Sequence, residues 1–199
     1  MIVKAYEAGI YYANCYLIMD EESKEIAIID PGGDGQMLSS RIDELKGVPK
    51  FILLTHGHVD HVGAVEYLSE KYKIPFYIIK KDNEYIKKGD TIFGNLREPD
   101  GYISEGETFS IGSDKIEVLE TPGHTEGGVS FVLNDMVFTG DTLFRGSIGR
   151  TDFPGGSLQE IIKSINSKLM SLDGNMIVYP GHGPASTIVF EKNNNPYLI

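Results

Sequence analysis

The amino-acid sequence predicts a layered α/β or α+β domain, and two observations carry that prediction. Short apolar runs rich in β-branched and aromatic residues recur along the chain, closed by Gly, Pro, Asp or Asn, as strands are. Amphipathic stripes at helical spacing lie between several of these runs. A chain of 199 residues can bury one substantial core, and its 23 glycines are not collected in a linker. We therefore expect a single domain over residues 1–199.

Eight segments have the composition and the boundaries of strands. In chain order they are residues 14–20, 25–30, 51–55, 75–79, 116–121, 129–133, 136–140 and 176–180. Chains that combine many strands with several helices pack sheets and helices in layers. Propensity does not give the order of the strands within a sheet.

Three apolar stripes predict helices, over residues 37–45, 64–72 and 158–169. The first stripe stops at Gly47, a residue that suits a helix C-cap. The second begins directly after His61. At the start of the third, Ser157 and Glu160 have the spacing of a capping box, in which each side chain satisfies a free backbone N–H.

Charge and composition exclude several classes of partner. The formal net charge is −11, and the phosphate backbone of a nucleic acid repels an anionic protein, so we expect no nucleic-acid partner. No run reaches the ~18 apolar residues that a membrane span requires, and the N-terminus lacks a signal-peptide pattern. The single cysteine, Cys15, cannot form an intramolecular disulfide. These observations predict a cytoplasmic protein without a membrane partner.

The ends of the predicted strands share a pattern. Five apolar segments each deliver an imidazole or a carboxylate beside small or turn-forming residues. These groups are Asp30, His56, His124, Asp141 and His182. Layered folds place their sites in the loops at the carboxyl ends of strands. If these ends converge, one cleft contains all five histidines of the chain and several carboxylates.

The segment "THGHVDH" (55–61) concentrates this chemistry. Its ionisable side chains are His56, His58, Asp60 and His61. No turn or packing requirement explains that density, and such groups are costly near a core unless a metal engages them. Imidazole and carboxylate without thiolate suit zinc, iron or manganese. Seven candidate ligands exceed what one tetrahedral ion uses, so we expect two ions ~3.5–4 Å apart, with Asp141 as the candidate bridge.

Five motifs extend over nearly the whole chain. They are "IDPGG" (29–33), "THGHVDH" (55–61), "PGHT" (122–125), "FTGDTLF" (138–144) and "PGHG" (180–183). In this order they resemble the metallo-β-lactamase superfamily, and within it the short, single-domain bacterial hydrolases similar to glyoxalase II (hydroxyacylglutathione hydrolase). The resemblance implies an αββα sandwich, in which two sheets pack face to face with helices outside and a dinuclear site at the open edge.

The resemblance also implies a role for each site residue. One ion would be held by His56, His58 and His124, the other by Asp60, His61 and His182, with Asp141 bridging them and Asp30 orienting a ligand from behind. Asp60 and Asp141 are thereby candidate catalytic residues as well. Zinc is the expected metal, with iron and manganese as alternatives. The implied nucleophile is a hydroxide formed between the two ions, which attacks the carbonyl of a thioester or ester.

The substrate that this resemblance implies is a small-molecule thioester such as S-lactoylglutathione, or a related ester. Arg150 falls where the family has a lysine that contacts glutathione, and a guanidinium suits a carboxylate. Asp152 stands at the position of a family tyrosine. Only residues 183–199 follow the last histidine, so we expect no C-terminal helical domain of the kind that helps classical glyoxalase II bind glutathione.

A second function class shares part of the pattern. Mononuclear non-haem iron dioxygenases that act on glutathione persulfide share the "THxHxDH" core and a "GRTDF" segment, here residues 149–153. They would use His56, His124 and Asp141 on one iron. In this chain the segment continues "PGG", and "YPGHG" is more typical of the hydrolases. A lactonase or nuclease relative is a third reading, and the acidic balance disfavours the nuclease.

Overall fold

The first half of the chain forms one six-stranded sheet with four helices in the computed structural model, which describes residues 1–198. In chain order the elements are β1 (Ile2–Ala8), β2 (Ala13–Met19), β3 (Glu25–Ile29), α1 (Gly35–Leu45), β4 (Val48–Leu53), α2 (Val59–Val62), α3 (Val65–Tyr72), β5 (Phe76–Ile79), α4 (Lys80–Lys88) and β6 (Gly101–Ile103). The strands are adjacent in sequential order. The pairs from β1 to β3 are antiparallel, and those from β3 to β6 are parallel, with helices in each parallel crossover.

The second half forms another six-stranded sheet. Its elements are β7 (Thr108–Ile111), β8 (Asp114–Glu120), β9 (Val129–Leu133), β10 (Met136–Gly140), β11 (Leu143–Phe144), β12 (Ser147–Ile148), α5 (Leu158–Ser164), a π-helical turn (Ile165–Leu169), β13 (Ile177–Pro180), β14 (Ser186–Thr187) and α6 (Ile188–Asn194). The sheet order is β7–β8–β9–β10–β13–β14, and β11 and β12 pair as a separate hairpin. Within this sheet only β10 and β13 are parallel.

Three apolar cores arrange these elements in four layers. Successive side chains of a strand face opposite sides of a sheet. Leu17 of β2 therefore lies in the core shared with α1, α3 and α4, whereas its neighbour Ile18 lies in the core between the two sheets. On the far face of the second sheet, Val137 of β10 lies in the core shared with α5 and α6. The order helix, sheet, sheet, helix is an αββα sandwich, which confirms the predicted fold class.

All eight predicted strands overlap observed strands, but the helix ends differ in detail. Helix α1 ends at Leu45, but Lys46 rather than the predicted Gly47 is the cap and takes the left-handed conformation, with φ 53°. The helix predicted over residues 64–72 is confirmed as α3, and a separate short helix, α2, precedes it and contains Asp60 and His61. Ser157 caps α5 by accepting a hydrogen bond from the Glu160 N–H, and the predicted helix then ends as a π-helical turn. Within residues 1–198, none of the helices is long and apolar enough to cross a bilayer.

Candidate metal centre

The predicted site residues lie in loops that follow strands of both sheets. The first sheet contributes the loop after β3 and the segment from β4 through α2, and the second sheet contributes the loops after β8, β10 and β13. The structure brings into one cluster every residue predicted as a ligand, together with Asp30. The ligand set is His56, His58, Asp60, His61, His124, Asp141 and His182. The assignment of these residues to bound metal stays a prediction, and the geometry below shows what they can hold.

The first ligand group consists of His56, His58 and His124, which are all buried. One nitrogen of each ring lies within 4.8 Å of those of the other two. The Nδ1 of His58 is 2.9 Å from the Nε2 of His124. Burial lowers the pKa of His58 to about 3, and burial also lowers the pKa values of His56 and His124. All three imidazoles are therefore neutral near pH 7, which is the form that binds metals.

The second ligand group consists of Asp60, His61 and His182. The Nε2 of His182 lies 3.2 Å from Oδ2 of Asp60, and the Nε2 of His61 lies 3.9 Å from the same oxygen. The hydrogen bond from His182 to Asp60 raises the pKa of His182. Burial opposes the charged form of His61, but the carboxylates of Asp141 and Asp30 outweigh it and raise its pKa well above the usual value. This group therefore holds protons more firmly than the first.

Asp141 contacts both groups. Its Oδ1 lies 3.3 Å from the Nε2 of His61, and its Oδ2 lies 3.5 Å from the Nε2 of His124 and 3.7 Å from that of His182. Burial opposes ionisation of Asp141, but His61 and His124 outweigh it and hold its pKa far below the usual range. An ionised carboxylate between the two groups is the ligand type that two cations can share.

Four buried polar atoms in the described residues have no hydrogen-bond partner, and all belong to the predicted ligands. They are the Nε2 atoms of His56, His58 and His61 and the Oδ1 of Asp141. Buried polar atoms are normally paired, and leaving one unpaired costs about 1–3 kcal/mol. Coordination to divalent cations would pair the Nε2 atoms of His56 and His61 and the Oδ1 of Asp141, whereas His58 faces His124 through its Nδ1. The donor set therefore fits such ions, and imidazole with carboxylate and no thiolate suits zinc, iron or manganese.

Asp30 supports both groups from behind. It is 1% exposed, and its Oδ2 lies 3.0 Å from the Nδ1 of His61. The Thr55 N–H donates to Oδ1 of Asp30 at 2.8 Å, and the Thr55 hydroxyl donates to Oδ2. That hydroxyl oxygen is also 3.0 Å from the Nδ1 of His56. Asp30 thus orients His61 directly and His56 through Thr55, a contact that the sequence did not reveal.

Arg150 contacts the centre through its backbone rather than its side chain. Its carbonyl oxygen lies 2.8 Å from the Nδ1 of His124 and orients that ring. Its guanidinium donates twice to Asp152, from Nε to Oδ1 and from one terminal nitrogen to Oδ2, each at 2.7 Å, and lies 3.7 Å from the ring centroid of Phe153. The side chain predicted to bind substrate is therefore paired within the chain. Gly149, directly before Arg150, lets the backbone pass close to Asp141 and His124, because a Cβ at position 149 would lie 1.7 Å from the Asp141 carbonyl oxygen.

A cleft of about 420 Å³ opens above the ligands. Its walls are Tyr11, Ile92, Arg150 and Phe153, and its floor is His58, Asp60, His124, Asp141 and His182. The walls combine apolar side chains with one cation, and the floor carries the ionisable groups. A cleft of this size and composition suits a small molecule rather than a polymer.

Solved structures of similar proteins share this architecture. The crystal structure of BLEG-1 B3 metallo-beta-lactamase matches with a TM-score of 0.92 and 33% identity, covering 99% of each chain. The protein TTHA1623, crystallised in a di-iron-bound form, matches with a TM-score of 0.87 and 34% identity over 98% of this chain and 100% of its own. ETHE1 from Myxococcus xanthus matches with a TM-score of 0.87 and 28% identity over 98% of this chain and 84% of its own.

Sequence comparison finds relatives that are named as hydrolases. Hydroxyacylglutathione hydrolase GloC from Haemophilus influenzae is 39% identical over 94% of this chain and 93% of its own length. The probable metallo-hydrolase YqgX from Bacillus subtilis is 36% identical over 96% of this chain and 94% of its own length. The sequence profile of the Metallo-beta-lactamase superfamily matches residues 8–182. The chain therefore belongs to the metallo-beta-lactamase superfamily.

Proposed function

We propose that this protein is a metal-dependent hydrolase that cleaves a small-molecule thioester, such as S-lactoylglutathione, or a related ester. The observation that carries the proposal is the pair of three-residue ligand groups joined by Asp141, with buried atoms of His56, His61 and Asp141 that lack a hydrogen-bond partner. The similarity to a relative named hydroxyacylglutathione hydrolase supports the thioester as substrate. The proposed cofactor is a pair of divalent ions, with zinc as the first candidate and iron or manganese as alternatives.

The ligand assignment follows from the two groups. His56, His58 and His124 would hold one ion, Asp60, His61 and His182 the other, and Asp141 would contact both. When bound, such ions supply Lewis acidity, which polarises a carbonyl group and lowers the pKa of a water molecule toward about 7.

The side chains of the cleft favour water as the nucleophile. Among the residues that line the cleft in the described chain there is no serine or cysteine. Cys15 is fully buried, and burial raises the pKa of its thiol, so it is not a reactive thiolate at neutral pH. Asp60 and Asp141 are the carboxylates of the floor, and both have a pKa below the usual value. As hydrogen-bond acceptors they orient an attacking water toward the substrate carbonyl.

The walls of the cleft hold the rest of the substrate. Tyr11, Ile92 and Phe153 provide apolar contacts for the carbon chain on either side of the thioester. They also exclude bulk water, which strengthens the electrostatic interactions at the floor. Binding through these walls would place the carbonyl against the ligand groups.

A mononuclear non-haem iron persulfide dioxygenase is the second candidate. The "GRTDF" segment that this chain shares with those enzymes contacts the centre, since the Arg150 carbonyl orients His124. One iron on His56, His124 and Asp141 would leave Asp60 and His182 without a ligand role. The hydrolase uses every member of both groups and is therefore the better account of the geometry.

The test combines metal analysis with a panel of substrates. The purified chain is stripped with a chelator, reloaded separately with zinc, iron(II) or manganese, and assayed with S-lactoylglutathione, other thioesters, esters and lactones. We expect two ions per chain and hydrolysis of a thioester. A fully loaded protein that cleaves no thioester, ester or lactone would contradict the proposal. Oxygen uptake with glutathione persulfide at one iron per chain would favour the second candidate instead.

A further inference from the structure

A buried carboxylate outside the predicted ligand set joins two ligand loops. Asp82 lies in the first turn of α4, and its side chain is fully buried. Its Oδ2 accepts hydrogen bonds from the Gly57 N–H and the Thr125 hydroxyl, each at 2.9 Å. Its Oδ1 accepts one from the Gly127 N–H, also at 2.9 Å. Gly57 lies between His56 and His58 in the chain, and Thr125 directly follows His124.

The loops are shaped to reach this carboxylate. A Cβ at position 127 would lie 2.5 Å from Oδ1 of Asp82, so the backbone can approach only as glycine. A Cβ at position 57 would come 3.3 Å from the Cβ of Asp82. Burial raises the pKa of Asp82 to about 6, although all three hydrogen bonds oppose that rise. The chain therefore keeps a costly buried acid whose partners are all backbone or hydroxyl donors from the two loops.

The two loops come from different sheets. His58 follows β4 of the first sheet, and His124 follows β8 of the second, and these strands do not pair. The Val129 N–H also donates to the Thr55 carbonyl across the two sheets. Both residues lie outside the ligand loops, because Thr55 precedes His56 and Val129 follows Gly127. Asp82 makes its contacts within the ligand loops themselves. Asp82 is therefore a direct link between the two loops in which His58 and His124 approach to 2.9 Å.

We propose that Asp82 is a positioning residue that locks the His58 loop against the His124 loop and thereby sets the affinity and geometry of the first ion. The proposal rests on the metal centre of the proposed function. Asp82 touches no ligand side chain among its hydrogen-bond partners, so it acts through the backbone of Gly57 and Gly127 and through Thr125. Residues that orient metal ligands typically change metal affinity by about 10- to 100-fold when they are replaced.

The Asp82→Asn substitution tests the link with almost no change of volume. An amide has one oxygen acceptor and an NH₂ donor, whereas Asp82 uses both of its oxygens as acceptors. At least one backbone N–H then faces another donor, and one loop moves away. Thr125→Val is the milder variant, because it removes one of the three hydrogen bonds and leaves the carboxylate in place.

Glu191→Gln is the matched control. Glu191 is also a fully buried carboxylate on a helix, and it accepts hydrogen bonds from the Gly146 N–H, the Ser186 hydroxyl and the Asn195 amide. None of these partners lies in the His58 or His124 loop. Its substitution also replaces a fully buried carboxylate by an amide, although the Ser186 hydroxyl can turn to accept from the new NH₂. It therefore separates general loss of stability from loss of ligand positioning.

The experiment titrates metal-free full-length protein with cobalt(II), which reports its coordination through its visible spectrum. We expect Asp82→Asn to weaken binding of the first equivalent about 10-fold or more and to change its spectrum, and Thr125→Val to weaken it by a smaller factor. Glu191→Gln should keep the wild-type cobalt affinity and spectrum, whatever its effect on the melting temperature. Wild-type affinity and spectrum in folded Asp82→Asn would overturn the proposal. If that variant does not fold, an unchanged Thr125→Val overturns it instead.

The same titration separates this proposal from the proposed function. A wild-type chain that binds cobalt in the expected manner but hydrolyses no substrate contradicts only the function. A chain that hydrolyses thioesters while Asp82→Asn binds cobalt normally contradicts only the role of Asp82. A wild-type chain that binds no cobalt overturns both.

Discussion

The two ligand groups of the candidate metal centre differ in composition, burial and charge. His56, His58 and His124 are at most 4% exposed, and their pKa values lie below that of free imidazole. In the second group the side chain of His182 is 30% exposed, and nearby carboxylates keep the pKa values of its two histidines above the ordinary value. A cation meets neutral imidazoles in the first group and must displace protons in the second.

Because of this difference, the two groups are not equally ready to bind a cation. The first group is prepared for a cation by burial alone, which favours neutral rings. The second group gains charge from Asp60 and exposure from His182, and both of these side chains line the cleft. We therefore expect the first ion to bind more tightly than the second, with Asp141 coupling them. The predictions below test that ranking.

The largest effect is expected for Asp141→Asn, because Asp141 contacts both groups. An amide removes the shared negative charge while keeping the shape. Thioester hydrolysis should fall by about 100-fold or more, and the content of the second ion should fall with it. Turnover and metal content are measured together. Asp135→Asn, at an exposed position directly before β10, is the control and should match wild type. Unchanged metal content and turnover in Asp141→Asn would refute the shared role.

His182→Ala should separate the two groups. It deletes the exposed ligand of the second group and leaves His56, His58 and His124 intact. We expect one tightly held ion per chain and a loss of activity of about 10- to 100-fold. His58→Ala is the reciprocal variant and should weaken the first ion. The ranking of the groups fails if both variants lose the same ion.

Acid should remove the second ion before the first. The raised pKa values of His61 and His182 mean that these rings keep their protons to a higher pH than free imidazole, so lowering the pH from 8 toward 5.5 strengthens proton competition there. The lowered pKa values of the first group weaken proton competition over the same range, and burial lowers that of His58 to about 3. Metal content after dialysis at several pH values measures both. Parallel losses of the two ions across this range would contradict the difference.

The sequence predicted which residues meet in the cluster better than it predicted the groups that support them, and the reason is physical. His56, Asp141 and the other ligands are ionisable groups set at strand ends, where neither packing nor turn geometry requires them. Asp82 lies in "KKDNEY", a charged helical segment that resembles a solvated surface, and only the tertiary structure shows that one face is buried. The contact from Arg150 to His124 uses a carbonyl oxygen that every residue possesses. The strands and stripes predicted a layered fold, and the resemblance of the motifs implied its αββα order, whereas short strands such as β11 and β14 carry too few residues for a pattern.

The smallest effect concerns the wall of the cleft rather than its ligands. Asp152 occupies the guanidinium of Arg150 with two hydrogen bonds, and the guanidinium holds the pKa of Asp152 at about 2. A substrate carboxylate must therefore compete with Asp152 for this cation. Because the pair is exposed, its opening costs little, and we expect Asp152→Asn to lower KM for a carboxylate-bearing thioester by about two- to fivefold with kcat unchanged.

An uncharged thioester of the same length is the matched substrate for Asp152→Asn, and its KM should stay as in wild type. Arg150→Gln should abolish the gain when it is combined with Asp152→Asn, because the released cation is then absent. A gain that appears equally with the uncharged thioester would show that the wall has changed shape rather than charge. A lower KM confined to the carboxylate-bearing thioester would show that the Arg150 guanidinium binds the substrate carboxylate. Arg150 would then serve both the wall of the cleft, through its side chain, and the first ligand group, through its carbonyl contact with His124.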